Sequence, residues 1–111
     1  MTYAVAWREG ADPPYAGRLE LTTRSVELAG TTSTARESRR RIFYDELVRV
    51  RVERRRQGGG ESRPALVLEC QDGARLEITP VAGPGTLHEL AERVTAALRA
   101  AADRQTRSTQ R

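Results

Sequence analysis

The sequence predicts an α+β chain that is mainly β, with about seven antiparallel strands in a bent sheet or partial barrel and one C-terminal amphipathic helix as a cap. Three observations carry this. Short segments with a two-residue apolar period recur between turn residues. No helical segment separates them, so the βαβ alternation of a parallel sheet is missing. The last third holds one long stretch with helical spacing.

The strands follow in order. Tyr3, Val5 and Trp7 alternate with alanines, and Glu9 to Pro14 breaks the run with two prolines that cannot extend a ladder. Arg18 to Thr22 places Leu19 and Leu21 on one face and charge on the other. Thr23-Arg24 is a tight connection, and Val26 and Leu28 complete a hairpin. Gly30 to Ser38 reads as a polar loop. Order resumes at Arg41-Ile42-Phe43-Tyr44, and Asp45-Glu46 marks a turn or bulge. Val48, Val50 and Val52 alternate with Arg49, Arg51 and Glu53, a pattern that suits a pleated, half-buried surface. Arg54 to Pro64, with three arginines and Gly58-Gly59-Gly60, reads as a mobile loop. Leu66, Leu68 and Cys70 share a face, Asp72-Gly73 centres a turn, and Leu76 and Ile78 form the last strand before Pro80.

The helix has a start signal and a stripe. Thr86 and Glu89 fit the Thr-x-x-Glu capping box. Leu87, Leu90, Ala91, Val94, Ala97, Leu98 and Ala101 fall on one face, with His88, Glu89, Glu92, Arg93 and Arg99 opposite. Such a helix needs an apolar sheet to lie on. Residues 103–111 read as a disordered polar tail, which leaves residues 1–102 as a single domain.

At 111 residues the chain has room for one modest core. No apolar run approaches the ~20 residues of a membrane span, and residues 1–9 lack the pattern of a secretory signal. The single cysteine, Cys70, permits no internal disulfide. These features suggest a cytoplasmic protein. All 19 basic residues are arginine, and residues 36–63 hold ten of them against five acids. The positive charge therefore sits in the middle third.

Gly17-Arg18-Leu19-Glu20-Leu21-Thr22, Val26-Glu27-Leu28, Tyr44-Asp45-Glu46-Leu47, Leu66-Val67-Leu68 through Asp72-Gly73, and the Leu87–Leu98 helix together resemble a pleckstrin-homology-like domain. The chain is similar in this to small bacterial and actinobacterial proteins of the same kind, over roughly residues 3–102. The resemblance implies two antiparallel sheets with a capping helix. It carries no diagnostic motif for a ligand.

No constellation for catalysis emerges. Cys70 is in phase with Leu66 and Leu68 and so points to the core, where a thiol is a small hydrophobe. His88 and Glu92 stand at i, i+4, but the zinc-protease pattern requires a second His at the latter position. Asp45-Glu46 lies at a turn and Glu89/Glu92 on a solvated face, without a cleft to raise a pKa. Gly58-Gly59-Gly60 has no Gly-Lys-Ser/Thr after it and no helix start, so it is not a phosphate loop. No enzyme, metal or cofactor is expected.

The arginine clusters are the positive lead. Arg39-Arg40-Arg41 precede one strand and Arg54-Arg55-Arg56 end the next. In a simple meander their connections share one end, so the six could form a basic rim for phosphate or acidic peptide. A solvated surface of a compositionally biased chain is the reading the sequence favours for them. Phosphoinositide-binding members of the resembled family carry basic residues around the first hairpin loop. Here that loop, Glu9 to Tyr15, holds Glu9 and Asp12 instead. Nucleic acid is disfavoured because base stacking needs exposed aromatics and most of the five here lie in core patterns. The expected function is that of a non-enzymatic module that binds a protein or peptide at a sheet edge or beside the helix. Self-association is a variant, and peripheral binding of anionic lipid or another polyanion through the arginines is the alternative.

Overall fold

Alternating side chains become seven strands because one face of each has apolar surface to hide. The computed structural model describes residues 2–10, 13–57, 61–81 and 84–109, without the side chains of 55–57, 61–63, 84 and 105–109. The elements are β1 (Thr2–Glu9), β2 (Tyr15–Leu21), β3 (Ser25–Thr31), β4 (Glu37–Phe43), a 3-10 turn (Tyr44–Glu46), β5 (Leu47–Gln57), β6 (Glu61–Cys70), β7 (Arg75–Pro80) and α1 (Pro84–Thr109). The sheet order is β4-β3-β2-β1-β7-β6-β5, every neighbour is antiparallel, and the sheet curls into a half-barrel. The expected fold class is thus observed.

The inner face carries Val5, Leu19, Val26, Leu28, Ile42, Leu66, Leu68, Leu76 and Ile78, all buried. The helix adds Leu87, Leu90 and Val94. It packs against the 3-10 turn, β5, β6 and β7. Near its far end, the Arg104 guanidinium donates to the Thr23 carbonyl at 2.7 Å. Tyr44 is buried where these elements meet, and its hydroxyl donates to the Thr22 carbonyl at 2.7 Å. The 3-10 turn is stitched to the β6–β7 turn by Gln71. Its backbone N–H donates to the Glu46 carbonyl at 2.9 Å, and its side-chain amide donates to the Asp45 carbonyl at 3.0 Å.

A close approach of β2 and β3 shapes the curl. Gly17 and Gly30 are directly paired, and a Cβ on Gly17 would lie 2.0 Å from the Ala29 carbonyl oxygen. A Cβ on Gly30 would lie 2.9 Å from Trp7 Nε1. The Trp7 indole occupies that space, stacks on Tyr15 with centroids 4.6 Å apart, and donates to the Ala29 carbonyl at 3.2 Å. The missing side chain at Gly30 leaves room for the indole, and that at Gly17 lets the β3 backbone come close.

Four local expectations differ. The helix begins at Pro84, so Thr86 lies inside its first turn and is not the cap. Proline suits a first helical position because no intrahelical bond needs its N–H. The helix also runs through Thr109, across the residues read as a tail, because Ala101 to Gln105 contains no breaker and propagation is easy once a helix is anchored. Gln110 and Arg111 lie outside the described residues. The loop expected over Arg54 to Pro64 is largely ladder, with Arg54 opposite Pro64, Arg55 opposite Arg63 and Gln57 opposite Glu61. Gly58, Gly59 and Gly60 lie outside the described residues. Finally, the register shifts between Leu47 and Arg49, which turns Val48 outward at 62% exposure and breaks the alternation of the three valines.

Two predictions follow from this packing. Gly17→Ala forces backbone apart at the closest point of the β2–β3 ladder. It is expected to cost about 2–3 kcal/mol, read from the urea unfolding midpoint. Burial raises the pKa of the Tyr3 and Tyr44 phenols above 10.0 and of the Cys70 thiol above 9.0. The folded chain then holds these protons more tightly than the unfolded one. Stability is full below the ordinary values and falls as pH rises through them toward the raised ones. Tyr44→Phe is expected to lose about 1 kcal/mol at neutral pH, from the missing hydrogen bond, and to show a shallower alkaline decline in urea titrations.

Candidate functional site

β1 bonds both β2 and β7, so the sheet is not a simple meander, and β4 and β5 form its two edges. The two arginine clusters therefore stand on the two opposite edge strands. Arg39, Arg40 and Arg41 lie within β4, not ahead of it, because the ladder with β3 extends back to Glu37. Arg54 is exposed on β5. The side chains of Arg55 and Arg56 lie outside the described residues.

Alternation splits the β4 cluster. Arg40 shares the inner face with Ile42, and its Nε donates to Glu9 Oε1 at 3.0 Å across the mouth of the half-barrel. A cavity of about 180 Å³ beside it is lined by Arg40, Ile42, Glu46, Cys70, Gln71 and Asp72. Arg39 and Arg41 point to the outer face. Arg41 is opposite Glu27 and binds its carboxylate at 2.9 and 3.1 Å. Arg39 is opposite Ala29, and Arg18 on β2 is opposite Ala29 from the other side. Neither Arg18 nor Arg39 has an ion pair or side-chain hydrogen bond among the described residues. A groove of about 310 Å³ lies here, lined by Arg18, Glu20, Glu27, Ala29, Arg39 and Arg41 among others. Two strand spacings separate Arg18 and Arg39, roughly 10 Å, with only a methyl group between. Both guanidinium groups can reach one anion across that gap.

The free edge of β4 also has a defined phase. At one end of the β3–β4 ladder the Thr32 N–H donates to the Arg36 carbonyl at 2.9 Å. At the other, the Tyr44 N–H donates to the Arg24 carbonyl at 3.0 Å. Antiparallel ladders alternate, so Ser38, Arg40 and Ile42 bond β3, while the N–H and C=O of Glu37, Arg39, Arg41 and Phe43 point away from it. The Phe43 N–H is taken by Glu46 Oε2 at 3.0 Å. The outward groups of Glu37, Arg39 and Arg41 have no partner among the described residues.

The other half of the outer face is electrostatically closed. Ion pairs link Arg8 to Glu77 at 2.8 Å, Arg51 to Glu53 at 2.7 Å and to Glu69 at 2.9 Å, and Arg75 to Glu53. This network lies over Val67, which is 1% exposed although it points away from the core. Among the described residues no group of three His, Cys, Asp or Glu is placed to hold a metal ion, and no helix is long and apolar enough to cross a membrane. Cys70 is buried, with its thiol pKa pushed up by that burial.

Sequence reasoning missed Arg18 as the companion of Arg39. The leucines Leu19 and Leu21 put Arg18 on the outer face, but only the register across β3 places it beside Arg39. No protein-family model matches the chain, and no curated protein matches it. The site is therefore read from its own geometry.

The two kinds of arginine on β4 should separate by mutation. Arg40→Ala is expected to cost about 1 kcal/mol, since it strands Glu9 and uncovers the inner face. Arg39→Ala should change stability by less than about 0.5 kcal/mol in the same urea titration.

Proposed function

We propose that this protein is a non-enzymatic interaction module that binds an extended segment of a partner protein by strand addition at the free edge of β4. The observation that carries the reading is the row of outward N–H and C=O groups at Glu37, Arg39 and Arg41, without partners among the described residues. A strand laid there gains a backbone ladder from any sequence, and neighbouring pockets select among side chains. The curled sheet and C-terminal helix support a pleckstrin-homology-like assignment. The lone buried cysteine fits a reducing, cytoplasmic setting.

Anionic lipid or another polyanion is the second reading, supported by the same uncommitted Arg18 and Arg39. The ion pairs of Arg40 and Arg41 leave less free positive charge on this edge than the sequence suggests.

A random peptide display library selected on the intact protein at physiological salt tests the reading. The enriched peptides are expected to shift the amide resonances of residues 37–41. Arg39→Pro removes an outward N–H without breaking a β3 bond, so it should abolish this binding while the far-ultraviolet spectrum stays unchanged. Arg41→Pro serves the same purpose if the first variant is unstable. Shifts at this edge with anionic vesicles but with no peptide would overturn strand addition in favour of the polyanion reading.

A further inference from the structure

We infer that the strand taken up by β4 is acidic at alternate positions, with one carboxylate held by Arg39 at the edge. The inference rests on strand addition and deepens it to the chemistry of the partner.

The phase of the edge fixes which partner residues meet which side chains. An incoming strand pairs directly with Arg39 and Arg41, whose backbone groups face it. Its residues opposite these two project onto the outer face, where both arginines stand. The residue between them projects inward beside Arg40, whose guanidinium is already held by Glu9. The partner residue opposite Glu37 also lies on the outer face and meets a negative charge. The complementary pattern is acid, any residue, acid, any residue, base, read from the position opposite Arg41 toward the one opposite Glu37.

The position opposite Arg39 has the stronger claim to an acid. Arg41 shares its charge with Glu27 at 2.9 Å, whereas Arg39 and Arg18 are both uncommitted among the described residues. Ala29 leaves the space between them open as part of the groove. A carboxylate opposite Arg39 can accept from its guanidinium fork, which gives shorter and stronger bonds than neutral donors, and the Arg18 charge adds attraction from across Ala29.

A second copy of the chain fits less well. Two β4 strands laid antiparallel in full overlap put Arg39 against Arg41 and Arg40 against Arg40, and like charges directly opposite are unfavourable. A slip by two residues puts Arg39 against Arg39, and the slip by four that brings Glu37 opposite Arg39 twice leaves only residues 37–39 of each strand overlapping. The chain also has no two acids at i, i+2.

The test uses the full chain and three synthetic nine-residue peptides of alternating character. One carries glutamate at alternate positions, one glutamine and one lysine, with valine and threonine between. Amide shifts at residues 37–41 report binding at physiological salt. The glutamate peptide is expected to bind at least tenfold more tightly than the glutamine peptide. Arg39→Ala should weaken it about threefold to fivefold, and Arg18→Ala less, since Arg18 acts from two strands further in. The paired change Arg18→Glu with Arg39→Glu should reverse the preference toward the lysine peptide, which also shows that the variant is folded. If the glutamine peptide binds as tightly and Arg39→Pro still abolishes it, strand addition stands and the acidic partner is overturned. If the paired charge reversal leaves the preference unchanged, the inference also fails. If no peptide shifts residues 37–41, strand addition itself falls. Concentration-dependent dimerisation at these amides, insensitive to the glutamate peptide, would give the edge to a second copy.

Discussion

The pairing of β1 with β7 is the constraint on which the rest depends. Val5 to Glu9 runs along Leu76 to Pro80, joining the first four strands to the last three. With this seam in place the apolar faces of both halves become one curved surface, large enough for α1 to cover. The seam also makes β4 and β5 the outer strands, although they are consecutive in the chain. A molecule with β1 unpaired from β7 would be a four-stranded and a three-stranded sheet without a shared inner face.

The curl and the edge are linked by the same residues. Gly17 and Gly30 let the β2–β3 ladder close tightly under Trp7, and the first half of the sheet bends until Arg40 reaches Glu9. That ion pair draws one β4 arginine inward and leaves its neighbours outside. Three consecutive arginines thus have three environments: Arg40 over the mouth, Arg41 against Glu27, and Arg39 facing Arg18 across a methyl group. Exposed ion pairs contribute little each. Their larger effect here is to decide which cations are already occupied.

Much of the fold was legible because burial follows local patterns. The alternation in Tyr3-Val5-Trp7, Leu19-Leu21, Val26-Leu28 and Leu76-Ile78 marks strands whose faces agree with the structure, and the Leu87-Leu90-Val94 stripe marks the buried face of α1. The helix ends and the β5–β6 hairpin were less legible. Pro84, Arg55 and Arg56 take their conformation from tertiary pairing and helix propagation, not from local signals. The site was half legible. Charge alone singled out Arg39, Arg40 and Arg41, but strand phase is lost when a segment reads as a loop, so their division between two faces was hidden. Arg18 was hidden for another reason. Its proximity to Arg39 is set by two successive registers, which no single window of sequence contains.

Cys70 gives this molecule an internal clock. The residue is 8% exposed and lines the small cavity at the mouth, next to Gln71, whose two hydrogen bonds hold the 3-10 turn. It is the chain's only sulfhydryl, so its alkylation rate counts how often that end of the half-barrel opens. The mouth is also where Arg40 leaves the inner face of β4. Events at the β4 edge that tighten or loosen the mouth would be timed by a chemical probe placed several residues away, with no label on the edge itself.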